Sequence, residues 1–270
     1  MESNDYIGWV NQRAMRGLDF FTKEDFRSAF PTVSSNTLAV ALNRLAEGGW
    51  IMSPWQNFYV EVPVQYRLKG CVPPSFYIDE LMRFLGRRYY VSLLTAAALY
   101  GAGHQRPMSF FVTADGSPLR NGVKNGTQLL LFQKKTIDMR WVRQVRTEGG
   151  YMNVSDPMMT VLDIVQNENK IGGLSRVAEM IGELMGEMAW EDRVEELLLM
   201  YSPAVVQRLG YLLFVLGMGD VEERLYCICH QMGMRFRYVR LKASKEVVGI
   251  PTKDERWKVI VNDQIDLDEI

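Results

Sequence analysis

Cys227-Ile228-Cys229-His230 places two thiols and an imidazole within four residues, side-chain types that hold a soft metal ion. A structural zinc site needs four such ligands. The chain has only Cys71 and His104 besides, with no Cys-x-x-Cys pair. Ser92, His104 and Asp163 supply the types of a nucleophile, base and acid, yet no serine sits in a Gly-x-Ser-x-Gly sequence. Gly101-Ala102-Gly103 and Gly172-Gly173 match neither a phosphate loop nor a dinucleotide fingerprint and read as helix stops. No catalytic residue, metal or cofactor is expected. The chemistry on offer is instead hydrogen bonding to nucleic-acid bases. Asn36, Thr37, Val40, Asn43 and Arg44 combine amides that pair with adenine, a guanidinium that pairs with guanine and apolar groups that meet a thymine methyl.

The elements that position these residues follow from local signals. Thr22, with Asp25 three residues on, caps a helix that Pro31 stops near Phe30. Ser34 opens a second helix, with Val33 able to staple to Leu38. Leu38, Ala41, Leu42 and Leu45 form its inner face, and Gly48-Gly49 ends it. At about 100° per residue this geometry turns Asn36, Val40 and Asn43 outward, flanked by Thr37 and Arg44. Trp50 to Met52 and Phe58 to Val62 read as strands around a turn at Ser53 to Asn57. Helix, turn, helix and hairpin make a winged helix-turn-helix over residues 1–70, whose second helix enters the major groove. Trp55, Gln56 and Asn57 at the wing tip would touch backbone or minor groove.

Charge is unevenly distributed. Residues 1–66 carry 5 Lys+Arg against 7 Asp+Glu, residues 67–146 carry 13 against 4, and residues 147–270 carry 13 against 21. The +9 block contains Arg83, Arg87, Arg88, Arg106, Arg120, Lys124, Lys134, Lys135, Arg140, Arg143 and Arg146. It can hold a phosphate backbone or an acidic partner, or pair with the chain's own acidic third.

At 270 residues, with 47% hydrophobic and 23% charged residues, the chain has material for a small domain and a larger one. The apolar runs at 89–103 and 209–219 are shorter than the roughly 20 residues of a membrane span, and the N-terminus lacks a signal pattern. A cytoplasmic protein without membrane contact is expected, consistent with three cysteines that suggest no disulfide. Three prolines between Pro63 and Pro74 read as a linker. Beyond it, residues 71–270 are expected to form a larger mixed α/β domain, making the whole chain α+β. Its mixed part spans 75–150: helices at Phe76 to Leu85 and Tyr89 to Tyr100, then strands at Met108 to Thr113, Leu129 to Gln133 and Met139 to Val145. Residues 155–235 are mainly helical, with helices at Leu174 to Met188, Glu191 to Met200, Ala204 to Leu216 and Glu222 to Met232. Pro157 sits in a first turn after Ser155-Asp156.

Polar residues where the local pattern does not require them are the candidates for function in the larger domain. Arg87 and Arg88 precede the apolar helix, Ser92 and Thr95 lie one turn apart on it, and His104, Gln105 and Arg106 follow its glycine stop. Thr160 and Asp163 share a helix face. Hydroxyls bonded back to the helix backbone, and a capping or ion-pair role for Asp163, are the structural alternatives.

Three stretches resemble the AbiEi antitoxins of type IV toxin-antitoxin, or abortive-infection, systems of phage defence. They are the wing Ser53-Pro54-Trp55-Gln56-Asn57-Phe58-Tyr59-Val60, the block from Arg87-Arg88-Tyr89-Tyr90-Val91-Ser92 through Thr95 to His104-Gln105, and Gly150-Tyr151-Met152-Asn153-Val154-Ser155-Asp156-Pro157 through Thr160 to Asp163. The resemblance implies an N-terminal domain that represses its own promoter at repeated operator sequences in double-stranded DNA. It also implies a C-terminal domain that counters a nucleotidyltransferase-like toxin without a stable complex. On that footing Arg87, Arg88, Ser92, Thr95, His104, Gln105, Arg106, Thr160 and Asp163 are candidates for the antitoxin surface. The alternative is a winged-helix transcriptional regulator whose C-terminal domain senses a ligand or partner.

Overall fold

The computed structural model describes residues 5–68, 71–103, 107–124, 127–186 and 193–266. In chain order the elements are α1 (Tyr6–Met15), β1 (Phe20–Thr22), α2 (Lys23–Ala29), α3 (Ser35–Glu47), β2 (Ile51–Trp55), β3 (Phe58–Glu61), α4 (Val64–Arg67), α5 (Pro74–Phe84), β4 (Tyr89–Val91), α6 (Leu93–Leu99), β5 (Ser109–Ala114), β6 (Gly122–Lys124) and β7 (Thr127–Gln133). They continue with β8 (Val142–Thr147), β9 (Gly150–Ser155), α7 (Pro157–Gln166), α8 (Leu174–Gly186), α9 (Val194–Leu198), α10 (Pro203–Val215), α11 (Gly219–Gln231), β10 (Val239–Arg240), β11 (Thr252–Asp254) and β12 (Val259–Val261). The chain is α+β. It divides into one compact unit of Met1–Tyr90, Met108–Ile137 and Gln144–Asn153, and another of Val91–Pro107, Asp138–Arg143 and Val154–Ile270.

Caps and one aromatic core build the start of the first unit. Thr22 and Asp25 exchange bonds across the first turn of α2: Asp25 N–H donates to Thr22 Oγ1 at 3.1 Å and Thr22 N–H to Asp25 Oδ2 at 2.7 Å. Val10 of α1, Phe21 of β1, Phe26 of α2 and Leu38, Ala41, Leu42 and Leu45 of α3 bury together over Ile51 of β2. Sequence reading did not anticipate α1 or β1. β1 is three residues long, too short to show an alternation, and α1 mixes Asn11, Gln12 and Arg13 into its apolar stripe. The sheet order is β1-β3-β2, antiparallel, with Phe21 opposite Tyr59 and Met52 opposite Val60. The turn expected over Ser53 to Asn57 contracts to Gln56-Asn57. Pro54 stays in β2 because the register shifts between Met52 and Trp55, an irregularity that needs no N–H from proline.

The expected proline linker is also partly structured. Val64–Arg67 is a helical turn, and Pro74 is a first-turn residue of α5, where its missing N–H costs nothing. α5 then packs on β3, with Phe76 5.6 Å from Phe20 and Phe84 5.4 Å from Phe58 between ring centroids. A six-stranded sheet, ordered β6-β7-β5-β4-β9-β8, supplies most of the remainder, although the ends of β4, β8 and β9 belong to the second unit. β5 runs parallel to β7 over six pairs, from Ser109 opposite Gln128 to Ala114 opposite Gln133.

The expected helix over Tyr89 to Tyr100 is a strand followed by a helix. Tyr89, Tyr90 and Val91 are aromatic and β-branched, are fully buried, and form β4 inside the sheet; Ser92 then turns the chain into α6. Length and apolarity alone do not separate such a buried strand from a helix. In the second unit α7, buried from Met158 to Val165, packs on α6, α8 and α10. The helical region does not end the chain. β10 and β11 flank β12, and the fully buried Trp257 lies against Gly210 of α10, where an added Cβ would come within 2.2 Å of the indole.

Candidate nucleic-acid interface

The outward residues of α3 stand as its periodicity requires. Asn36, Thr37, Val40, Asn43 and Arg44 are all exposed, while Leu38, Ala41, Leu42 and Leu45 are buried. Ser34 caps the helix, accepting from Thr37 N–H at 3.2 Å, and its hydroxyl also meets Thr37 Oγ1 at 2.8 Å. The Thr37 hydroxyl is therefore engaged at the cap, and its methyl is what remains for an apolar contact. Thr37, Val40 and Arg44 also border a cleft of about 440 Å³, completed by Asp5, Tyr6 and Ile7 at the start of α1 and by Trp50.

The hairpin beside α3 presents less than its sequence suggested. Gln56 and Asn57 are exposed at the turn, but Trp55 is the half-buried last residue of β2. Asn57 takes the left-handed conformation at φ 62°, which its short amide tolerates, and its carbonyl accepts Lys23 N–H at 3.0 Å, tying the turn to the start of α2. At the far end of β3, Glu61 is a carboxylate in a core position. It is buried, its Oε2 has no hydrogen-bond partner among the described residues, and burial with the neighbouring Asp19 carboxylate pushes its pKa up to about 7 against the pull of Arg67. Burial raises Asp19 as well. Arg67 lies over the Trp50 ring at 4.2 Å. An acid inside the apolar run Phe58 to Val62 is the signal that sequence reading passed over.

Arg87 and Arg88 precede β4 and meet one turn. Arg88 Nε pairs with Asp115 Oδ2 at 2.7 Å, and Arg87 Nη1 donates to Asp115 O at 3.3 Å. The four acidic residues of the basic block all pair within it: Asp79 and Glu80 with Arg83, Asp115 with Arg88, and Asp138 with Arg140. Among the described residues, Arg140 and Arg143 also reach acids of the last third, Glu196 at 2.7 Å and Asp156 at 3.4 Å.

The other polar candidates of the larger domain lie inside. Ser92, Thr95, Thr160 and Asp163 are buried, so none offers a surface. The Thr160 hydroxyl lies 2.7 Å from Ser155 Oγ and donates to Asp156 O at 2.8 Å, the back-bonding that a helix hydroxyl makes. Asp163 accepts from Tyr201 OH at 2.6 Å. Asp156 caps α7 through Met159 N–H at 2.8 Å, and Tyr100 OH donates to Ser155 O at 2.7 Å. Packing explains why polar residues stand in these apolar stretches. His104, Gln105 and Arg106 lie outside the described residues. Ser92 and Asp163 are buried, and His104, the third member of the Ser-His-Asp set, lies outside the described residues. Cys227 is exposed beside Glu223, at 3.5 Å, whereas Cys229 is buried and its thiol is pushed up to about 12. Among the described residues no group of three or more His, Cys, Asp or Glu can hold a metal ion, and no helix is long and apolar enough to cross a membrane.

Residues 90–215 match the AbiEi antitoxin C-terminal domain. The chain carries an AbiEi antitoxin domain. The AbiEi match runs from β4 through α10 and so takes in both the β4–α6 and the β9–α7 junctions. Among solved structures, the RV2827C protein from Mycobacterium tuberculosis shares the fold across 94% of this chain and 91% of its own, with TM-score 0.63 and 15% identity. An antigenic nucleotidyltransferase-like protein from Paracoccidioides brasiliensis aligns over 56% of this chain and 89% of its own, with TM-score 0.39 and 10% identity. No curated protein matches the chain.

Proposed function

We propose that this AbiEi protein is the antitoxin of a type IV toxin-antitoxin system and also represses its own operon. Residues 1–70 act as a winged helix-turn-helix on repeated operator sequences in promoter DNA, and residues 71–270 act as the antitoxin domain. The observation that carries the DNA reading is α3. Its outer face bears Asn36, Thr37, Val40, Asn43 and Arg44, its inner face is fully apolar, and a hairpin ending in Gln56-Asn57 stands beside it. The antitoxin reading rests on the AbiEi match at 90–215. Its exposed candidates among the described residues are Arg88 and the half-buried Arg87. The partner is a cytoplasmic nucleotidyltransferase-like toxin, opposed without a stable complex.

Two assays on full-length protein test both halves. Asn43→Ala with Arg44→Ala should abolish the operator mobility shift yet still rescue cells that express the neighbouring toxin from an independent promoter. Full operator affinity in that variant would remove α3 from the reading. Failure of both the operator-blind variant and the wild type to rescue would remove the antitoxin.

A further inference from the structure

We infer that the cleft between the start of α1 and one side of α3 binds a small aromatic carboxylic acid, and that the bound acid takes Arg44 and Val40 away from DNA. The site stands on the cleft alone; its regulatory effect rests on the reading of α3 as the operator-reading helix.

A single stripe of α3 forms one wall. Thr37, Val40, Ala41, Arg44 and Leu45 recur at helical spacing and all border the cleft, whereas Asn36 and Asn43 stand off that stripe. Tyr6 and Ile7 of α1 and Trp50 complete an apolar lining, in which Ile7 and Val40 stay 39% and 48% exposed. The lining is held in advance. The Tyr6 ring packs edge-on against Phe30 at 4.9 Å between centroids, Trp50 N–H donates to Leu45 O at 2.9 Å, and Arg67 lies over the indole. A ligand that enters therefore orders little that is not already ordered. The volume of about 440 Å³ falls in the usual range of small-molecule sites.

Charge selects the ligand. The Arg44 side chain, at the same cleft, makes no hydrogen bond, ion pair or ring contact among the described residues. The Asp5 carboxylate is already engaged, its Oδ1 accepting Gly8 N–H at 2.7 Å at the positive end of α1. An uncommitted guanidinium beside apolar walls calls for an anion carried on an apolar body, and its flat fork matches the two oxygens of a carboxylate. A phosphate backbone offers the anion without the apolar body, and a neutral hydrocarbon offers the reverse. Bound there, the acid engages Arg44 and covers Val40 and Thr37, three of the five side chains proposed to face operator bases. Acid and operator then exclude each other, and each weakens the other's binding by the same factor.

The test titrates 2-naphthoate into full-length protein by calorimetry, with the uncharged 2-naphthamide as control. The wild type should bind 2-naphthoate saturably and the amide about tenfold more weakly or worse, the loss expected when a charged hydrogen-bonding partner is removed. Arg44→Gln and, separately, Val40→Glu should each bring 2-naphthoate down to the level of the amide, while Asn43→Ala, off the cleft, should bind it as the wild type does. All three positions are exposed, and circular dichroism must be unchanged in each variant. Absence of saturable 2-naphthoate binding, or equal binding to the wild type, Arg44→Gln and Val40→Glu, would overturn the site. In mobility shifts 2-naphthoate should release the wild-type protein from the operator and the amide at equal concentration should not. Operator affinity unchanged at saturating 2-naphthoate would overturn the competition. A wild-type protein that shifts no operator even without ligand would remove the DNA reading and the competition with it, while the calorimetry decides the site by itself.

Discussion

Replacing Glu61 with Gln should make the protein more stable at pH 8 and leave it nearly unchanged at pH 5. Glu61 is the buried carboxylate at the end of β3 whose Oε2 lacks a partner, and its pKa is raised from an ordinary 4.5 to about 7. Below the ordinary value the carboxyl is protonated in both folded and unfolded chains and contributes no pH dependence. Between that value and about 7 the unfolded chain releases the proton while the folded one keeps it, so stability falls as pH rises. Above about 7 both forms are ionised and the loss is complete. At about 1.4 kcal/mol per pH unit the shift corresponds to roughly 3 kcal/mol, and screening by Arg67 and nearby water leaves about 1–3 kcal/mol.

A Gln side chain fills the same space and never ionises. Urea denaturation followed by circular dichroism at several pH values gives wild-type and variant stabilities, and their difference removes contributions common to both, such as that of Glu168, also raised by burial. The difference should open between pH 5 and pH 8 in favour of the Gln variant. Asp19, raised too, should leave the variant a smaller slope of the same sign. Parallel curves for the two proteins would mean that Glu61 is solvated or fully paired in the folded state, and the argument from burial would fail.

Other consequences concern the two proposed surfaces and the core. Asn43→Ala or Arg44→Ala should each weaken operator binding by about 1–3 kcal/mol without moving the thermal transition, because both side chains are exposed; mobility shifts and calorimetry check this. Charge reversal at Arg88 should impair rescue from the toxin while circular dichroism stays unchanged, since the Arg88 side chain is exposed and its ion pair with Asp115 is worth about 1 kcal/mol. Thr160→Val should lower stability by about 1–2 kcal/mol in urea melts, through loss of the bond to Asp156 O and of the contact with Ser155 Oγ, while rescue by the protein that remains folded is unaltered.

The unequal fates of the sequence-based expectations have a physical cause. Thr22 with Asp25 and Ser34 with Thr37 are contacts three residues apart, so both partners can be read in one short window, and both caps are present as bonds. The outer face of α3 was legible for the same reason, since a thirteen-residue helix repeats its period long enough to separate two faces. β4 was not: three buried residues followed by Leu93–Leu99 look locally like one apolar helix, and only sheet neighbours distant in sequence make Tyr89–Val91 a strand. The groups that act on Glu61 and Arg87, Asp19 and Asp115, likewise lie far from them in sequence.

Ser92, Thr95, Thr160 and Asp163 looked functional because they interrupt apolar stretches, and an interruption of that kind has two origins. Either the residue faces solvent or a partner, or it faces inward and satisfies backbone groups that packing has cut off from water. The Thr160 bond to Asp156 O and the Tyr201 bond to Asp163 are of the second kind. If these residues hold the β9–α7 junction together, protection of the cell falls to side chains that packing does not consume. Among the described residues of the basic block these are the cations Arg87, Arg88, Arg120, Lys135 and Arg146, which are exposed or half-buried and, save for Arg88 on Asp115, paired with no carboxylate. A cationic surface rather than a polar pocket is therefore where the antitoxin domain should be cut first.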